Sequence, residues 1–125
     1  MTALAGYNGV YDGLNFNGYG KGQVLVIVPR GWRVIVRCVD SSASVRHSCA
    51  IVRGVGATTP AFQGASSPDP EQGLAPGRSA RFAFIASRAG VYRLASLVPD
   101  QEQAGMWDVF EVTRSGRPTV RQLRH

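Results

Sequence analysis

Apolar and polar residues alternate along several stretches of the chain, and this pattern predicts strands with one buried face. The clearest stretch is Trp32–Val39, where an inner row alternates with an outer row: Val34, Val36 and Cys38 against Arg33, Ile35 and Arg37. Ser79–Ala86, Val91–Leu97 and Trp107–Thr113 alternate in the same way, with inward positions at Phe82, Phe84, Tyr92, Leu94, Ser96, Phe110 and Val112.

Two further strands follow from other patterns. Gln23–Val28 is a continuous apolar run, typical of a strand covered on both faces. Arg46–Arg53 is predicted as a strand with His47, Cys49 and Ile51 on one face. Gly54–Arg78 shows no period and is rich in Gly, Pro and Ser, so we expect a long surface excursion. Seven or eight short strands favour an all-β fold, a Greek-key β-sandwich.

Composition agrees with one globular domain, since the chain has 125 residues, 44% of them apolar and 18% charged. We place the domain at residues 1–113. Its first twelve residues, 1–12, are glycine-rich and predicted to form an extended arm, and residues 114–125 a basic tail. Both ends are expected to become ordered on neighbouring subunits rather than on their own domain.

The net charge is +6, and Lys21 is the only lysine among the 14 basic residues. Guanidinium groups match carboxylate and phosphate oxygens, so acidic protein surfaces are the expected partners, with a merely solvated surface as the alternative. Nucleic acid is not expected, because the aromatics that stack bases are not interleaved with the arginines. The predicted interaction residues are Arg33, Arg37, Arg46, Arg53, Arg81, Arg93, Arg114, Arg117, Arg121 and Arg124.

Other function classes find little support in the residues. The eight carboxylates are scattered, and no Ser, His and Asp set or phosphate-binding glycine loop is present, so no enzyme is expected. The N-terminal residues lack a signal-peptide pattern and no apolar run reaches membrane length. We therefore expect a soluble protein without membrane insertion, extracytoplasmic only if Met1 replaces a removed signal.

The segment Tyr92–Trp107 reads Y-R-L-A-S-L-V-P-D-Q-E-Q-A-G-M-W and resembles the ligand loop of sulfocyanin-like blue-copper proteins. In that family the pattern is Cys, four residues, His, four residues, Met, within V-P-G-H and G-M. The phrase F-N-G-Y, the later V-P-x-G-W and the H-S of R-H-S-C are similar to the family as well. The resemblance implies a cupredoxin fold with His47 at the first histidine and Met106 at the methionine.

The resemblance also places Ser96 at the cysteine position and Gln101 at the second histidine. A serine hydroxyl cannot replace the copper–thiolate bond, so blue-copper electron transfer and a copper cofactor are not expected. His47, Ser96, Gln101 and Met106 are then the positions of a vestigial site. The alternative is a rearranged copper site using His47, Cys49 and Met106.

Cys38 and Cys49 face inward on strands that a cupredoxin assigns to different sheets. We favour two reduced, buried thiols, with an inter-sheet disulfide as the alternative if the Cα atoms lie within about 7 Å. The sequence thus predicts a copper-free cupredoxin-like structural or interaction module, an accessory or decoration subunit of a larger assembly such as a virus particle. The alternative function is copper binding or electron transfer at the rearranged site.

Overall fold

A computed structural model describes residues 1–123 and contains eight strands in two sheets. The strands are β1 (Thr2–Ala5), β2 (Val24–Pro29), β3 (Arg33–Asp40), β4 (Ala50–Val52), β5 (Ser79–Ile85), β6 (Gly90–Ala95), β7 (Trp107–Thr113) and β8 (Thr119–Gln122). A single 3-10 turn, Val10–Gly13, separates β1 from β2. The predicted all-β sandwich of seven to eight strands is confirmed.

One sheet has the order β1-β3-β5 and the other the order β4-β6-β7-β2-β8. The pairs β1–β3 and β2–β7 are parallel, and the other neighbours are antiparallel. The alternation predicted for the strands holds, since β3 buries Val34, Val36 and Cys38 and β7 buries Phe110 and Val112. The inner rows of the two sheets pack face to face to form the core.

The long excursion between β4 and β5 is anchored by one aromatic side chain. Phe62 stacks on Phe84 with ring centroids 5.4 Å apart and lies 4.9 Å from the ring of Tyr92. Phe84 in turn contacts Phe110 of the other sheet at 5.9 Å. The excursion therefore closes one side of the core, although it contains no strand.

Both chain ends differ from the prediction. Residues 1–12 are not a free arm, because β1 pairs with β3 from Thr2↔Arg37 to Ala5↔Asp40. The basic tail forms β8, which pairs with β2 from Val24↔Gln122 to Ile27↔Thr119. An unpaired edge strand leaves backbone donors and acceptors unsatisfied, and β8 satisfies those of β2. Arg124 and the last residue of the tail lie outside the described residues.

The cysteines also differ from the favoured prediction. Cys38 of β3 and Cys49, which precedes β4, form a disulfide with a Cα–Cα distance of 5.9 Å. Both cysteines are fully buried. The disulfide covalently joins the two sheets, so the expectation of two reduced thiols is wrong.

Candidate functional site

Ser96 lies directly after β6 on the buried side that Tyr92 and Leu94 share, as predicted from period-two alternation. The loop that follows turns back on itself, because the Gln101 carbonyl accepts from the Met106 N–H at 3.0 Å. The Met106 carbonyl accepts from the Ser96 N–H at 3.3 Å. This closure brings Ser96, Gln101 and Met106 to one end of the sandwich.

His47 reaches the same end from the segment before β4. The buried carboxylate of Asp40 positions it, since Asp40 Oδ2 accepts from the His47 N–H at 3.0 Å and Oδ1 accepts from the Ser42 N–H at 2.9 Å. Gly6 lies against the ring, and a Cβ at that position would lie 2.8 Å from His47 Nε2. With φ at +67° as well, this position requires glycine.

Four side chains meet in a buried hydrogen-bond group, the Ser96 cluster, formed by His47, Ser48, Ser96 and Gln101. The Ser96 hydroxyl donates to Gln101 Oε1 at 2.7 Å, and His47 Nδ1 lies 3.0 Å from the same oxygen. Gln101 Nε2 donates to the Arg46 carbonyl at 2.9 Å, which fixes the amide orientation. Because Gln101 Oε1 can only accept, His47 Nδ1 is the donor in this contact.

Ser48 completes the cluster. Its N–H donates to Ser96 Oγ at 3.1 Å, and its own hydroxyl oxygen accepts from the Leu97 N–H at 2.8 Å. Ser96 Oγ thus both donates and accepts, and the Gln101 amide uses both its oxygen and its nitrogen. Met106 is fully buried in the apolar core beside this loop. The predicted convergence of His47, Ser96 and Gln101 is present in the structure.

The chain matches the family model of the sulfocyanin (SoxE) domain over residues 3–119. The chain is a member of the sulfocyanin family. No curated protein sequence matches this sulfocyanin-family chain significantly.

Solved structures support the fold. An auracyanin from Roseiflexus castenholzii has a TM-score of 0.62 at 22% identity, covering 80% of this chain and 88% of that one. Auracyanin A from Chloroflexus aurantiacus, a blue copper protein, has a TM-score of 0.63 at 21% identity, covering 90% and 97%. A blue copper oxidase from Nitrosomonas europaea has a TM-score of 0.60 at 24% identity over 78% of this chain and 31% of its own. The cupredoxin-like fold is thereby shown.

These findings correct the prediction that no cofactor is involved. The sulfocyanin family and the blue-copper neighbours point to copper as the group that the family implies. The residues at the positions that the sequence resemblance assigns to the ligands nevertheless do not fit a blue-copper centre, because Ser96 offers a hard hydroxyl in place of a thiolate. His47 Nδ1 and Ser96 Oγ are also both engaged with Gln101.

The rearranged site with Cys49 does not form either. The Cys49 sulfur is bonded to Cys38 and is not available as a thiolate. Within residues 1–123, no three His, Cys, Asp or Glu side chains group closely enough to hold a metal ion. A copper site in this chain would therefore use His47 and Met106 without a cysteine.

The predicted interaction arginines lie in different places. Arg33, Arg37 and Arg81 project from the outer face of the three-stranded sheet, as predicted. Arg93 does not project freely, because its Nη1 pairs with Glu102 Oε2 at 3.2 Å and its guanidinium lies 3.7 Å from the Trp107 ring centroid. The remaining described members are exposed: Arg46, Arg53, Arg114, Arg117 and Arg121.

Asp108 is a buried acid that was not among the predicted site residues. Asp108 occupies the inward row of β7 beside Phe110 and is only 2% exposed. Burial raises the pKa of its carboxyl from 3.8 to about 7, although hydrogen bonds from the backbone of Val24 and Gln23 oppose the rise. The signal was present in the alternation, because a carboxylate stands at an inward position of an otherwise apolar row.

Within residues 1–123, the structure contains no helix of the length and hydropathy that a membrane crossing requires.

Proposed function

We propose that this protein is a sulfocyanin-family binding module that docks an acidic protein partner and does not carry electrons by blue-copper chemistry. The observation that carries the proposal is the Ser96 cluster. A hydrogen-bonded serine and glutamine fill the positions at which a blue-copper centre needs a cysteine and a histidine. Without a thiolate, the copper–sulfur bond on which that chemistry depends cannot form.

The surface charge indicates the kind of partner. The net charge is +6, and within residues 1–123 the one ion pair is that between Arg93 and Glu102. The other described arginines therefore present guanidinium groups without a carboxylate partner of their own. Such a surface attracts acidic proteins at long range and docks their carboxylates bidentately at short range. The larger assembly predicted from the sequence, a virus particle for example, remains a prediction.

Binding to an immobilised polyglutamate surface tests this function. We expect association at about 50 mM salt and loss of most of it at about 500 mM, because exposed charge pairs are screened as the Debye length shortens. A polylysine surface is the matched control and should retain nothing. Absence of binding to polyglutamate, or binding that is equally strong at both salt concentrations, would contradict the proposal.

Copper binding without a cysteine is the second candidate. Family membership favours it, and so does the retention of His47 and Met106, both buried at the same end of the sandwich. Thioether and imidazole donors suit Cu(I). Metal analysis after Cu(I) loading under conditions that leave the disulfide intact should show copper in wild type and less in Met106→Leu, which preserves volume. Equal copper in the two proteins would remove this candidate.

The Cys38–Cys49 disulfide indicates the compartment in which the protein acts. Disulfides persist in oxidising compartments and are rare in the cytosol, so the Cys38–Cys49 pair favours a location outside the cytoplasm. The partner is then an extracytoplasmic acidic protein. No catalytic activity is part of the proposal.

A further inference from the structure

Four arginines meet at one end of the five-stranded sheet because of the strand order. The neighbours β4-β6-β7-β2 each contribute one arginine from the same end. Arg53 follows β4, Arg88 precedes β6, Arg114 follows β7 and Arg30 follows β2. The parallel register Pro29↔Thr113 places Arg30 and Arg114 side by side, and the Arg30 N–H donates to the Thr113 carbonyl at 2.6 Å.

These four residues line a cleft of about 580 Å³, here called the arginine cleft. Its other lining residues are Ala61, Ser87 and Ala89, so no carboxylate faces the guanidinium groups. Neighbouring strands lie about 4.8 Å apart, so four strand ends extend over roughly 15 Å. Like charges held this close repel one another unless an anion lies between them.

Two of the guanidinium groups are held in place before any ligand arrives. Arg53 donates to the Tyr92 hydroxyl at 3.2 Å and lies 5.2 Å from the centroid of that ring. The Tyr92 hydroxyl donates to the Arg88 carbonyl at 2.8 Å, and Arg88 donates to the Ala61 carbonyl at 3.3 Å. Preorganised donors lose less side-chain entropy on binding, which favours a specific site over a diffuse basic surface.

A second cleft continues from the first and has a different character. It measures about 600 Å³ and shares Ala61, Ser87 and Arg88 with the arginine cleft. Its accessible apolar wall is the half-exposed Ile85 with Ala61 and Ala83, above the buried rings of Phe62 and Phe84, and Arg33 also lines it. A simple oxyanion would leave this apolar wall uncovered. A peptide with both acidic and apolar side chains would contact both clefts.

We propose that the arginine cleft, with the adjoining apolar wall, is the docking site for an extended acidic peptide segment of the partner. This inference rests on the proposed function, since it gives the acidic partner a binding site. An extended chain advances about 3.4 Å per residue, so four or five residues span the cleft. Carboxylates of the segment pair with the guanidinium forks, and an apolar side chain contacts Ile85. Arg30 and Arg88 were not among the sequence-predicted interaction residues.

Hexaglutamate and an alternating Glu–Leu hexapeptide are the probes, with binding measured by fluorescence anisotropy at low salt. The test variant is Arg30→Gln with Arg114→Gln. These two exposed side chains donate no hydrogen bond within residues 1–123, so we expect the variant to keep its fold. The matched control is Arg37→Gln with Arg81→Gln, a cross-strand pair on the other sheet that removes the same charge. Arg88→Gln is an independent second variant.

We expect wild type to bind the Glu–Leu peptide more tightly than hexaglutamate. The test variant should weaken binding about tenfold and the control variant less than twofold, the size expected when two exposed charge pairs are lost. Equal losses in the two variants would show a general charge effect and overturn the site while leaving the proposed function standing. Tighter binding of a thymidine hexanucleotide than of either peptide would overturn the peptide assignment. No binding of any acidic probe to wild type would refute the proposed function itself.

Discussion

Replacing Asp108 by asparagine is expected to stabilise the protein at neutral and alkaline pH. The side chain is 2% exposed, and Oδ1 accepts a hydrogen bond from the Val24 N–H at 3.2 Å. Asparagine keeps that acceptor and has nearly the same volume. The main effect of the substitution is therefore to remove the cost of holding a negative charge in an apolar surrounding that includes Phe16, Val26 and Leu94.

The magnitude follows from the pKa. A rise from 3.8 to about 7 means that the folded protein binds the Asp108 proton more tightly than the unfolded chain does. The associated stability is complete below about pH 4 and is lost as pH rises through about 7. The shift corresponds to about 4 kcal/mol, an upper bound because water entering the cavity of about 300 Å³ beside the carboxyl lessens the cost.

Urea denaturation of wild type and Asp108→Asn at several pH values between 4 and 8 measures the effect. The unfolding free energy of the variant minus that of wild type should be near zero at pH 4 and rise to about 2–4 kcal/mol at pH 8. Asp100→Asn, an exposed loop substitution, controls for the loss of one charge and should show a small constant difference. A difference that does not change between pH 4 and 8, or a wild type more stable than the variant at pH 8, refutes the reasoning.

Three further predictions follow from the site and the fold. The double variant Ser96→Cys with Gln101→His should bind Cu(II) and develop the intense visible absorption of a copper–thiolate bond, an absorption that wild type should lack because it has no free thiolate. A folded, colourless double variant under excess copper would show that the loop no longer holds a ligand frame. Replacing both Cys38 and Cys49 by alanine should lower the unfolding free energy by about 3 kcal/mol, since the disulfide closes a loop with a sequence separation of 11. If urea denaturation finds no loss of stability, the disulfide has no structural role. Truncation before β8 (Thr119–Gln122) should lower the melting temperature, because β2 loses its edge partner; an unchanged melting temperature would instead support the free tail expected from the sequence.

Much of the fold and the core of the site could be predicted from the sequence, because the evidence for them is local. Alternation with a period of two decides which side chains of a strand face inward, and it placed Val36, Phe84 and Phe110 correctly. The resemblance of the loop after β6 to the sulfocyanin ligand loop placed Ser96 and Gln101 beside His47, and their hydrogen bonds in the structure agree with that placement. The identities at those positions already implied the loss of thiolate chemistry.

Only the tertiary structure decided the features that depend on pairing between distant segments. The disulfide requires the ends of strands from two sheets to approach within 5.9 Å, and no local pattern reports that distance. The arginine cleft exists because β4, β6, β7 and β2 are neighbours in space but not in sequence. The C-terminal tail forms a strand because it pairs with the free edge of β2. The alternation predicts that Arg93 projects freely from the sheet. In the structure it forms an ion pair with Glu102, because the loop that carries Glu102 folds against it. Strand order and loop closure set these contacts, and both result from the packing of the whole chain rather than from the residues on either side of each position.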